Sequence, residues 1–142
     1  MSKDGLDRFV EAQRGVYARA VSELRAGAKS SHWMWFVFPQ IAGLGRSETA
    51  RHFAIRDLAE ARAYLAHPVL GPRLIEATEA MLAHAGSSSA DAILGPVDAL
   101  KLASSMTLFE AAAGDRDAAR VFARCLDGFY AGRRDRATLD RL

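Results

Sequence analysis

Ser30-Ser31-His32-Trp33-Met34-Trp35-Phe36-Val37-Phe38-Pro39-Gln40 is the stretch whose reading decides the fold class. From Trp33 to Phe38 it is apolar on every side, so burial all round is expected. Periodicity alone cannot separate a short helix from a strand over so few residues. Pro39 disfavours helical geometry at Phe38 and stops whatever precedes it. The neighbours favour a helix: the segments on both sides are helical in pattern, so a short core helix is expected here. Gly43-Leu44-Gly45 follows as a flexible turn.

Toward the N-terminus, Phe9, Val10, Val16, Tyr17, Ala20, Val21 and Leu24 form the apolar stripe of one amphipathic helix over residues 6–26. Asp4 is placed to cap it and Gly27 to end it. Gln13 and Tyr17, four apart on that stripe, face inward or toward a cleft. Toward the C-terminus, Ser47 and Glu48 open a short helix through Phe53. Asp57 with Glu60 three residues on is a capping pattern for residues 58–66. His67-Pro68 breaks that helix, and Pro68 can enter the first turn of the next. Leu70, Leu74, Ala77, Met81 and Leu82 then point inward.

Gly86-Ser87-Ser88-Ser89 is the clearest loop. Ser89 caps a single turn ending at Gly95-Pro96. Asp98 caps a helix through Ala113 with Leu102, Met106 and Phe109 as its spine. Gly114 ends it, and Asp115 or Asp117 opens a last main helix through Phe129. No strand-period alternation, heptad, repeat or low-complexity tract interrupts this series. The expectation is an all-α chain: a single irregular multi-helix domain over residues 1–142, with about five to seven helices around one core.

The bulk numbers agree with a globular protein. Half of the 142 residues are apolar and a quarter charged. The 19 basic and 17 acidic residues nearly cancel to a net charge of +2, so no nucleic-acid partner is expected. Arg133, Arg134, Arg136 and Arg141 form the one basic excess, which reads as a solvated terminal segment. Cys125 is the only cysteine, which excludes an internal disulfide and suggests a small buried apolar side chain. The N-terminal MSKDGLDRF carries charge where a signal peptide needs an apolar run. No stretch approaches the ~20 apolar residues that span a bilayer. A soluble, cytosolic chain with no membrane association is expected.

Two segments break the local rules, as functional segments tend to do. The first holds both tryptophans, Trp33 and Trp35, with His32 and Gln40 at its edges. An indole offers a flat apolar wall and one N–H donor. The second is Lys101-Leu102-Ala103-Ser104-Ser105-Met106-Thr107. Ser104, Ser105 and Thr107 weaken a helix interior, since hydroxyls compete for the backbone. A lysine beside hydroxyls suits an anion or a phosphate. Core packing accounts for the first segment, and close helix–helix approach for the second, without any ligand. His32, His52, His67 and His84 make no metal-binding spacing, so no metal is expected, and no cofactor motif occurs. Glu60 with Arg56, and Glu76 with Arg73, read as solvated ion pairs.

The same strings resemble the domain of unknown function 1810 family, small and mainly helical bacterial proteins sometimes mislabelled calpastatin-like. The resemblance runs from Leu6-Asp7-Arg8-Phe9, with Gln13 and Tyr17, to the final helix. Its specific parts are residues 31–40, Gly43-Leu44-Gly45 with Ser47, Glu60-Ala61, Tyr64-Leu65, His67-Pro68, Leu70-Gly71, Lys101-Leu102 and residues 104–109. It implies an all-helical, irregularly packed fold and brings no activity with it.

The functional expectation is a pocket for a small polar, anionic, nucleotide-like ligand. Trp33 or Trp35 would form its wall and Lys101 would neutralise charge. His32, Gln40, Ser104, Ser105 and Thr107 would set orientation. In an enzyme, His32 would be the general acid or base, because imidazole exchanges protons near neutrality. The alternative is an interaction module that docks a protein partner on an exposed Trp/Met surface.

Overall fold

The structure, a computed structural model, describes residues 5–142. Ten helices lie among them: α1 Asp7–Gln13, α2 Tyr17–Ala26, α3 Met34–Val37, α4 Glu48–His52 and α5 Leu58–Ala66, then α6 Leu70–Leu82, α7 Ala90–Leu94, α8 Pro96–Ala113, α9 Ala118–Tyr130 and α10 Arg136–Leu139. Among the described residues there is no strand. The one extended pairing is an isolated parallel bridge between Ile41 and Ile55. The fold is all-α. The stretch that opened the reading is helical at Met34–Val37 and stops at Phe38, as Pro39 requires.

Local chemistry explains most boundaries. Asp57 accepts from the Glu60 amide at 2.8 Å and opens α5. Ser47 and Ser89 do the same for α4 and α7 through the Ala50 and Ala92 amides. Gly27 ends α2 in the left-handed region, at φ 73°. Gly71 is required by packing, since a Cβ there would lie 2.2 Å from the Leu65 carbonyl oxygen.

Four expectations need correction. The single helix over residues 6–26 is two, because Arg14 turns extended and Gly15 takes φ +74°; Asp4 lies outside the described residues. Gln13, at the end of α1, is buried, and its Nε2 donates to the Phe36 carbonyl at 2.7 Å. Pro68 precedes α6 instead of entering its first turn. The cap there is the His67 ring, whose Nδ1 accepts from the Val69 and Leu70 amides at 3.1 and 3.2 Å. Thirdly, α8 begins at Pro96, so Asp98 sits inside its first turn. Finally, α10 was not expected at all.

The helix α8 forms the axis of the molecule and packs against α5, α7, α9 and α10. Leu102, Met106, Leu108 and Phe109 are fully buried on it. Aromatic rings cross the core in a chain, Phe53–Phe9–Tyr64–Phe109–Phe122, with centroids 5.2 to 6.1 Å apart. Cys125 closes this core; burial pushes its thiol up to about 12, which makes it inert. No helix among the described residues is long and apolar enough to cross a membrane.

Candidate functional site

The tryptophan segment is held by a carboxylate that the sequence did not single out. Glu23, on α2, accepts from the Ser30 and Ser31 amides at 2.8 and 3.0 Å. It also accepts from the Ser31 hydroxyl at 2.6 Å and from Trp33 Nε1 at 2.9 Å. Desolvation works against its ionisation, but these donors outweigh it and hold the carboxyl at about 2. Trp33 is thereby fully buried with its N–H committed. Lys29 Nζ lies 5.1 Å from the Trp33 ring centroid and pairs with Asp98 at 2.9 Å.

The structure brings Trp35 and Lys101 together, the lysine Nζ lying 4.7 Å from the ring centroid. Lys101 also pairs with Asp98 at 3.5 Å, so both oxygens of Asp98 face lysines. His32 is exposed, and Gln40 is half-buried. Met34, Met81 and Met106 are buried with Trp33, which leaves half-buried Trp35 as the tryptophan at the surface. The large apolar side chains most open to solvent are Val97 and Leu100, on α8 beside Lys101.

The hydroxyls of α8 belong to a different place. The Ser104 hydroxyl lies 3.2 Å from the Leu100 carbonyl and 3.0 Å from Asp135 Oδ2. The Thr107 hydroxyl donates to the Ala103 carbonyl at 2.8 Å and accepts from the Asp135 amide at 2.8 Å. Ser105 is fully buried, and its hydroxyl has no partner among the described residues. Ser104 and Thr107 thus anchor the segment after α9.

That segment lines an open cleft of about 450 Å³. Ala103 of α8 forms one wall, and Phe129, Tyr130 and Ala131 at the end of α9 form another. Arg133, Arg134 and Asp135 complete it. The chain reverses there through two left-handed residues, Ala131 at φ 54° and Gly132 at φ 78°. Alanine in that region is uncommon and mildly strained. The Tyr130 hydroxyl donates to the Ala99 carbonyl at 2.5 Å, and burial first of all raises its pKa, so it stays a donor. Arg134 grips both oxygens of Glu110 at 2.9 and 2.5 Å, donates to the Gly132 carbonyl at 2.7 Å, and stands 3.6 Å from Asp127. The Arg133 side chain is exposed and has no ion pair or hydrogen bond among the described residues.

Read from sequence, Arg133 and Arg134 were a solvated tail, and Phe129, Tyr130 and Asp135 were not singled out as a site. A usable signal existed: Gly132 followed by an arginine pair and a capping aspartate is a turn that presents charge. The expected solvated pairs also differ. Glu60 is 4 % exposed and buried between Arg8 and Arg56. Glu76 accepts from the Tyr17 hydroxyl and pairs with Arg25, while Arg73 turns to Gln13 and the Tyr17 ring. Among the described residues no group of three or more His, Cys, Asp or Glu side chains is placed to hold a metal ion.

A family described as "Protein of unknown function (DUF1810)" matches residues 3–142. Among curated proteins, none matches the chain. The crystal structure of the conserved hypothetical protein Rv1873 from Mycobacterium tuberculosis is similar at a TM-score of 0.93 and 49% identity, covering 99% of this chain and 98% of that one.

Proposed function

Starting from a chain that belongs to the DUF1810 family of proteins of unknown function, we propose that it binds a small ligand in the cleft between α8, α9 and the α9–α10 turn. The ligand's anionic group meets Arg133, and its flat part lies against Phe129 and Tyr130. One observation carries this reading. Around the cleft Tyr130 and Arg134 are engaged and Asp135 is held through one oxygen, while the Arg133 guanidinium stands beside a concavity of about 450 Å³ with no partner among the described residues. That volume suits a small metabolite, and a guanidinium fork suits a carboxylate or phosphate.

The expected class of ligand is the one read from sequence, but its place is different. Lys101 shares Asp98 with the nearer Lys29 and sets its ammonium over Trp35, whereas Ser104 and Thr107 act on the cleft by fixing Asp135. The test is a thermal-shift and calorimetric titration with phosphate, pyrophosphate, adenosine monophosphate, phenylalanine and 3-phenylpropionate. A ligand at a hundredfold excess over its Kd stabilises the native state by about 2.7 kcal/mol. At least one probe is expected to raise the melting temperature, and Arg133→Ala is expected to abolish the shift. A shift that survives in Arg133→Ala, or a flat response to every probe at millimolar concentration, overturns the reading.

A further inference from the structure

We infer that the cleft selects a ligand with one anionic group that also carries a hydrogen-bond donor, an amino or hydroxyl group received by the free carboxylate oxygen of Asp135. This rests on the cleft being the binding site, and it narrows what can occupy it. The argument is a count of used and unused valences. Asp135 Oδ2 faces three donors: the Ser104 hydroxyl at 3.0 Å, the Thr138 amide at 3.1 Å and the Thr138 hydroxyl at 2.5 Å. The Thr107 hydroxyl fixes the backbone of the same residue at 2.8 Å. Asp135 Oδ1 has no protein partner among the described residues. The carboxylate is therefore oriented through Oδ2, and in a residue that lines the cleft its second oxygen is left as a preorganised acceptor.

Arg134 is already charge-balanced: three of its five N–H groups go to Glu110 and the Gly132 carbonyl, and Asp127 lies 3.6 Å from Nη1. The cleft is lined by Arg133, Arg134 and Asp135, and the Arg134 charge is answered by Glu110 with Asp127 close by, so one uncommitted cation and one carboxylate face a ligand. A di- or triphosphate would meet that carboxylate once its first group had taken Arg133. A ligand that pairs one anion with one donor answers both open valences, and its apolar face finds Phe129 and Tyr130. An α-amino acid with a ring, or a hydroxyl-bearing phosphate monoester, has this chemistry.

The deciding experiment compares phenylalanine with 3-phenylpropionate, which share ring and carboxylate and differ by the ammonium group. Calorimetry on the full chain is expected to show phenylalanine bound about tenfold tighter, the worth of one charge-assisted hydrogen bond. Asp135→Asn keeps an oxygen for Ser104 and Thr138 but turns an amide donor toward the cleft. In that variant the preference is expected to reverse, with 3-phenylpropionate gaining as phenylalanine loses; an unchanged melting temperature shows that the α10 cap survives. Equal binding of the two compounds, or a preference untouched by Asp135→Asn, overturns the inference while leaving the cleft as the anion site. Pyrophosphate binding tighter than phosphate overturns it as well. If no anion binds and Arg133→Ala changes nothing, the cleft reading itself fails, and this inference with it.

Discussion

Arg8 and Arg133 are the same side chain in opposite circumstances. Arg8 donates from Nε to the His52 carbonyl at 2.8 Å, from Nη1 to the Gly5 carbonyl, and from Nη2 to the Ala54 carbonyl and Glu60 at 2.7 and 3.0 Å. Glu60 completes the centre by accepting from the Arg56 amide and Nε at 3.0 and 3.1 Å. That centre joins α1, the end of α4 and the start of α5. Arg133 has none of this, and stands beside a carboxylate with one oxygen also left open. The difference teaches that residue type marks neither structure nor function. Charges whose valences are closed by the protein hold the fold, and those left open in a concavity are where a ligand can add something.

The comparison is most exposed at Glu60, where the largest effect is expected. Its side chain is 2 % exposed, against 18 % for Arg8. Glu60→Ala leaves Arg8 held by backbone carbonyls but without its counter-ion, and the lost charge-assisted hydrogen bonds are expected to cost about 1.5–3 kcal/mol. Urea unfolding monitored by circular dichroism measures this directly. A loss below about 1 kcal/mol would be the range of an exposed pair, and would erase the contrast between the closed centre and the open one.

Glu23 sharpens the comparison with a smaller effect that depends on pH. It is another closed carboxylate, held at about 2 against an ordinary 4.5 by its hydroxyl, amide and indole donors. A folded-state pKa below the unfolded value contributes stability that is present above about pH 4.5 and is lost as pH falls toward 2. The melting temperature should therefore decline across that window. Glu23→Gln should start lower at neutral pH and decline less steeply, with the emission of Trp33, read in a Trp35→Phe background, reporting release of the indole N–H. Parallel acid profiles for the two proteins would mean that the donors around Glu23 do not favour its charged form.

How much of this was legible follows from distance along the chain. The caps at Ser47, Asp57 and Ser89 each need only an amide three residues on, so their residue types announce them. The all-α class follows from those caps and from the apolar stripe between them. The Gly15 break was hidden, because the stripe of residues 6–26 keeps its period through a residue whose backbone leaves the helix. The short α10 gave no apolar stripe; its start depends on Asp135, which α8 holds from 31 and 28 residues away through Ser104 and Thr107. The cleft was illegible for the same reason. Sequence placed Lys101 with Trp35 in one candidate site, and they do meet. It could not show that Asp98 faces that lysine while Arg133 is left without a partner.

The smallest expected effect tests the open end of the comparison. Arg133→Ala should change stability by no more than about 0.5 kcal/mol, the ordinary range for a surface substitution. The reason is specific to this position. What the fold uses at Arg133 is its backbone, whose amide donates to the Tyr130 carbonyl at 3.0 Å, and alanine keeps that bond. The positive φ values that turn the chain belong to Ala131 and Gly132, so alanine at 133 meets no left-handed geometry. Denaturant titration of this variant beside Glu60→Ala places both arginine centres on one scale. A loss above about 1 kcal/mol at Arg133 would mean that its guanidinium holds the fold in solution, and the cleft would then have no free cation to offer. Stability left intact, together with a lost response to anions, would locate the cost of that residue where no contact within the chain accounts for it.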